Sequence, residues 1–191
     1  GDADLISFGR QHLADPDFIN KAAQGNSDDI RWCVACNQGC IERLSFEMKS
    51  ATCSFNPECG REYKGAPPEV SCAKRVWVIG AGPAGLSAAL EAAARGHGVT
   101  VFERDGEPGG QLVSASRPPH KEGLARWTRW AHRTAERTGV ELRFGEAVTG
   151  ETIVSGKPDM VVLTSGALPA VPAIPGIDGP IVRDARDVLT G

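Results

Sequence analysis

"VWVIGAGPAGL" occupies Val76–Leu86, and its reading decides the fold. A β-branched run ends in Gly80-Ala81-Gly82-Pro83-Ala84-Gly85, the pattern G-x-G-x-x-G. Alone the pattern is weak. Here it follows a predicted strand, Arg75–Ile79, and opens an Ala-rich helix, Pro83–Arg95. Pro83 suits the first helical turn, and Ala84 stands beside it. Gly80 permits the tight turn, and Gly82 lets backbone N–H groups approach a pyrophosphate. Gly85 lets helix and strand pack closely. The helix N-terminus adds partial positive charge for phosphates. A second predicted strand, Val99–Glu103, ends in a carboxylate 18 residues after Gly85. Glu103 is thus placed to accept hydrogen bonds from an adenosine ribose. The competing reading is a plain tight turn and a surface glutamate.

Working outward, the grammar stays β-α-β. A helix near Lys121–Thr138 precedes strands Val140–Phe144 and Met160–Thr164. This predicts a doubly wound α/β sheet, a Rossmann-like domain over residues 73–191 that is incomplete. Upstream, "ADLISFG" (Ala3–Gly9) reads as a strand. Asp15 then reads as the cap of a helix with Pro16 in its first turn and Gly25 as its stop. One strand and one helix cannot bury both faces of the strand, so residues 1–29 read as the end of a larger unit. Residues 30–72 are irregular and cysteine-bearing, with helical promise at "IERLSFEM" and a linker at "GAPPEV" (Gly65–Val70).

The chain has 191 residues, 41% hydrophobic and 24% charged, which suits a globular protein. A net charge of -3 leaves no footprint for nucleic acid or an anionic membrane. No apolar run is long enough for a membrane span and no signal peptide is evident, so a cytoplasmic location is expected.

Three cysteines fall within "CVACNQGC", and the spacing is Cys33-x2-Cys36-x3-Cys40-x12-Cys53. Closely spaced thiolates on one loop can surround a 4Fe-4S cluster, one cysteine per iron. Structural zinc, the rival, more often uses two separated knuckles. Unmetallated thiols are the third reading. Cys59 and Cys72 fall outside the spacing.

Two resemblances add to this. "ERDGEPGGQL" (Glu103–Leu112) resembles the stretch of two-dinucleotide-domain flavoproteins that lies along FAD. It implies that Glu103 and Arg104 belong to the cofactor site, and that Gly110, Gln111 and Leu112 bring the backbone to the cofactor. "VVLTSGALP" (Val161–Pro169) resembles the second signature strand of that superfamily, A-T-G-x-x-P, with Thr164 and Ser165 replacing Ala and Thr. Gly166 is implied to keep its backbone contact.

The order "GR…LADPDFINK…DIRWCVACNQGC…C…NPECGRE…VIGAGPAGL" looks like the multi-cofactor NADH:flavin oxidoreductases, the family of 2,4-dienoyl-CoA reductase and trimethylamine dehydrogenase. That resemblance spans nearly the whole chain. It implies that residues 1–29 are the tail of an FMN-binding (β/α)8 barrel, with Gly9 and Arg10 at the FMN phosphate. Residues 30–72 would then be a 4Fe-4S segment, and the rest half of an FAD domain. Electrons would pass between NAD(P)H, FAD, the cluster and FMN, reducing an activated C=C bond. In amine-oxidising relatives the flow starts at the substrate, and ADP stands in place of FAD. "NQGC" leans to the reductases, and "GRE" at Gly60–Glu62 also occurs in the amine branch.

No second G-x-G-x-x-G is present, and the four histidines share no spacing. No catalytic residue is assigned. The barrel and the NAD(P)H-binding segment are expected as partners, on the same chain or another. A different class also fits the residues: a non-catalytic nucleotide-binding module stabilised by zinc. Trp127 and Trp130 read as a packing stripe of one helix.

Overall fold

A computed structural model of the chain describes residues 2–66 and 68–190. Pro67, in the expected linker, lies outside them, as do Gly1 and Gly191.

The first helices are α1 (Arg10–Ala14) and α2 (Phe18–Ala23). A π-helical turn, Gln38–Glu42, runs into the short α3 (Arg43–Ser45), so the helical promise of "IERLSFEM" is realised. Then the alternation begins: β1 (Arg75–Ile79), α4 (Pro83–Ala94), β2 (Gly98–Glu103), α5 (Gln111–Ala115), α6 (Glu122–Arg137), β3 (Glu141–Phe144), α7 (Gly150–Gly156), β4 (Met160–Leu163) and α8 (Ala185–Thr190).

The four strands form one parallel sheet in the order β3-β2-β1-β4. Strands β1 and β2 hold the centre, and their Val76, Val78, Val99 and Val101 are buried. Helices α4 and α6 pack on the sheet and on each other. Leu86 and Ala89 of α4 meet Trp127, Ala131 and Ala135 of α6 in one core. On α6 the buried residues recur at helical spacing, while Arg126, Arg129, Arg133 and Glu136 are exposed. Trp127 is thus a core residue, and Trp130 donates its indole N–H to the Asp29 carbonyl at 3.1 Å.

The N-terminal segment differs from expectation. Residues 2–9 form no strand, and no strand pairs with them among the described residues. A strand without neighbours leaves its N–H and C=O groups unpaired, which explains the irregular backbone. The expected barrel tail therefore has no strand here. Asp15 does not cap α2 either; Asp17 occupies that position. Asp15 is buried, and its carboxylate accepts the N–H groups of Asp17 and Arg31 and the Lys21 ammonium. No helix among the described residues is long and apolar enough to cross a membrane.

Candidate cofactor site

The glycine turn sits where β1 gives way to α4. An added Cβ on Gly85 would fall on the Gly80 carbonyl oxygen, so only glycine lets the helix approach the strand. Gly82 differs. Its φ of -70 suits any residue, and nothing lies within 4 Å of the place its Cβ would take. That open space borders the first turn of α4, which holds Pro83 and Ala84 and has no side-chain cap. Orphan N–H groups facing free space suit a dinucleotide pyrophosphate.

Glu103 ends β2 and is only 7% exposed. Its carboxylate accepts the Ala81 N–H at 2.7 Å and the Asp105 N–H at 3.1 Å. Oxygen lone pairs remain for ribose hydroxyls. Neighbouring Arg104 pairs with Asp105 at the surface. The following loop folds back on the turn, with the Gly109 N–H donating to the Ala81 carbonyl at 2.9 Å. Gly110 stands against Gly82 and opens α5. The Gln111 amide reaches across to the Ala167 carbonyl at 3.0 Å, beside Gly166, while Leu112 packs on the core.

The four cysteines of the x2-x3-x12 spacing line one small cavity. Arg10, Leu13, Val34, Asn37 and Phe55 complete much of its wall. Cys53 is brought there by the Thr52 N–H, which donates to the Gly39 carbonyl at 2.6 Å and holds this stretch against the cysteine loop. Burial pushes the Cys53 thiol up, while N–H groups of Phe55 and Asn56 pull it the other way. Cys59 is buried outside the cavity, and Cys72 is exposed. Among the described residues, no three or more His, Cys, Asp or Glu side chains are gathered closely enough, as they stand, to hold a single metal ion.

This architecture matches known proteins. Residues 75–163 fit the model of the FAD dependent oxidoreductase family. The whole chain is 40% identical to 30% of an NADH oxidase from Thermoanaerobacter brockii. A solved 2-naphthoyl-CoA reductase complex superposes with a TM-score of 0.88, at 34% identity, over 95% of this chain and 28% of the reductase. A 6-hydroxypseudooxynicotine amine oxidase from Pseudomonas geniculata gives 0.83 at 29% identity, over 98% of this chain and 30% of the oxidase.

The chain belongs to this family of flavin-dependent oxidoreductases. Reductases and amine demethylases are both among its relatives. It spans 30% of the length of the NADH oxidase it matches.

In this flavoprotein the site includes residues whose roles no motif announces. Thr164, which replaces the signature alanine, donates its hydroxyl to the carbonyls of Ile79 (2.9 Å) and Gly80 (3.0 Å), tying β4 to the glycine turn. Gln11 accepts the Cys33 N–H at 2.9 Å and donates to the Arg31 carbonyl. Buried Asn56 donates to the Leu13 carbonyl at 2.8 Å, pinning the Cys53 turn to α1. Gly9 immediately precedes α1, and the Arg10 guanidinium bonds Asn37 Oδ1 at 2.5 Å. No local pattern in the sequence announced this network, because each bond joins groups far apart in the chain.

Proposed function

We propose that this chain is the electron-transfer segment of a flavin- and iron–sulfur-dependent oxidoreductase that reduces an activated C=C bond. One observation carries the reading: two separate stretches of chain bring four cysteines to a single cavity, which α6 joins to the glycine turn. Gly123 of α6 stands against Val34 of the cysteine loop, and Thr128 of the same helix stands against Gly109 of the nucleotide loop. The cavity surrounds a volume with thiols at its wall. Three thiols on one loop with a fourth brought beside them suit a cubane held by one cysteine per iron, whereas structural zinc more often uses two separated knuckles. Cys33, Cys36, Cys40 and Cys53 would hold the cluster. The α4 N-terminus and Glu103 would hold FAD, with Gly110, Gln111 and Gly166 along it. When bound, such groups supply the exchange between hydride pairs and single electrons that nicotinamide-linked reduction requires. The protein's part is to fix both sites on one rigid helix and keep the path between them packed. FMN, with Gly9 and Arg10 near its phosphate, and the nicotinamide would be held by further sequence of the kind the longer relatives possess.

The match to an amine oxidase over nearly the whole chain favours one second reading. In it the chain serves amine oxidation, with ADP at the glycine turn. One experiment tests both. Protein prepared anaerobically is assayed for iron, acid-labile sulfide and released nucleotide. About four of each inorganic component per chain with FAD supports the first reading, and the same with ADP supports the second. Zinc without sulfide overturns both.

A further inference from the structure

We propose that Thr164 is a positioning residue for the dinucleotide: together with Glu103 it fixes the Gly80–Ala81 peptide and so aims the Gly82 N–H at the pyrophosphate. The inference rests on the reading of the glycine turn as an FAD or ADP site. The Thr164 hydroxyl donates to the Gly80 carbonyl at 3.0 Å, and the Glu103 carboxylate accepts the adjoining Ala81 N–H at 2.7 Å. One peptide is therefore held on both sides, from the end of β4 and from the end of β2. The remaining polar groups of the two residues are also taken. The Gly80 N–H donates to the Phe102 carbonyl at 2.7 Å, and the Ala81 carbonyl accepts the Gly109 N–H at 2.9 Å. The next N–H along the chain, that of Gly82, has no partner among the described residues. It borders the open space above Gly82.

Thr164 reaches the turn because β4 pairs in parallel with β1, Leu163 opposite Ile79. Its hydroxyl lies in the angle between the turn and α4, 2.7 Å from where a Cβ on Gly85 would stand. The single hydroxyl proton is shared between the Ile79 and Gly80 carbonyls, a three-centre bond. An alanine in this place, as the signature strand carries, would leave the hold on the peptide to Glu103 alone. A turn fixed before the ligand arrives spares the ordering cost of binding, so the second hold is expressed as affinity.

The test is titration of the nucleotide-free chain with FAD and with ADP by calorimetry, beside hydrogen exchange of the unliganded chain. Thr164→Val keeps the shape of the side chain and removes the donor. It should weaken both ligands by about three- to tenfold, the scale of one hydrogen bond. It should also quicken exchange of the Ala81 amide while the amides of β1 stay protected. Thr164→Ser keeps the hydroxyl and should bind both ligands nearly as wild type does, even where loss of the methyl group lowers stability. If Thr164→Val fails to fold, Thr164→Ala takes its place with the same expected losses. Wild-type affinity in the variant lacking the hydroxyl, or an equal loss in Thr164→Ser, would overturn the inference while leaving the cofactor reading intact. A wild-type chain that binds neither FAD nor ADP would overturn the cofactor reading, and this inference with it.

Discussion

The Glu103 carboxylate accepts the backbone N–H of Ala81 at 2.7 Å, locking the end of β2 to the glycine turn. The residue expected to bind ribose therefore also shapes the loop that would bind pyrophosphate. Glu103→Ala should reduce stability by about 1–3 kcal/mol, because a buried N–H loses its partner. It should also weaken FAD or ADP binding. Urea unfolding and calorimetric titration measure the two effects separately. Wild-type stability in the mutant would show that the lock carries no weight.

Two glycines of the turn should behave differently. Gly82→Ala has room and an ordinary backbone, so its stability should stay within about 1 kcal/mol of wild type. Its dinucleotide affinity should still fall about tenfold or more, roughly 1.4 kcal/mol, because the methyl group enters the ligand's space. Gly85→Ala should instead cost about 1–3 kcal/mol of stability through overpacking against Gly80. If both lose stability equally, the space above Gly82 is not a ligand site.

Asp15 gathers α2, Lys21 and the chain entering the cysteine loop. Asp15→Ala should cost roughly 2–3 kcal/mol, the scale of buried hydrogen bonds to a charged group. Hydrogen exchange should quicken across residues 15–40 and leave β1 and β2 protected. Uniform loosening of the whole chain would show that Asp15 is not local to the cysteine segment.

Cys72→Ser and Cys59→Ala should leave iron and sulfide content unchanged, whereas Ser at Cys33, Cys36, Cys40 or Cys53 should reduce it sharply. Cys59→Ala should still lower thermal stability, since Cys59 is buried. Loss of iron in the Cys59 variant would move the ligand set.

The isolated 191-residue chain, loaded with FAD and cluster, should not be rapidly reduced by NADH or NADPH. Its sequence offers one dinucleotide loop, and the residues around that loop suit FAD. Stopped-flow absorbance under anaerobic conditions checks this. Fast flavin bleaching at micromolar nicotinamide would mean that a hydride-donor site exists within these residues.

Much of the sheet was legible in the sequence. Strand β1 falls on Arg75–Ile79 as expected, and β2, β3, β4, α4 and α6 fall within a residue or so of their predicted bounds. Their signals are local: β-branched runs, an Ala-rich turn of glycines, and one apolar stripe with Trp127 at its centre. The short α5, α7 and α8 gave no such signal, because five to seven residues hold too few turns for a period to show.

The sequence by itself determined the nucleotide loop, because the steric demands at Gly80 and Gly85, and the open approach at Gly82, are written into one short stretch of chain. It also named four cysteines by spacing. Tertiary structure decided what those residues face. The expected strand at residues 3–9 does not form, since a strand depends on neighbours that spacing cannot supply. Thr164 meets the glycine turn across 84 residues, and Asn56 meets Leu13 across 43. Arg10 turns to Asn37 and the cysteine cavity, a contact across 27 residues. Each of these is a polar group satisfied by a distant partner. Local sequence records the need for such a partner, and only the folded chain fixes which group meets it.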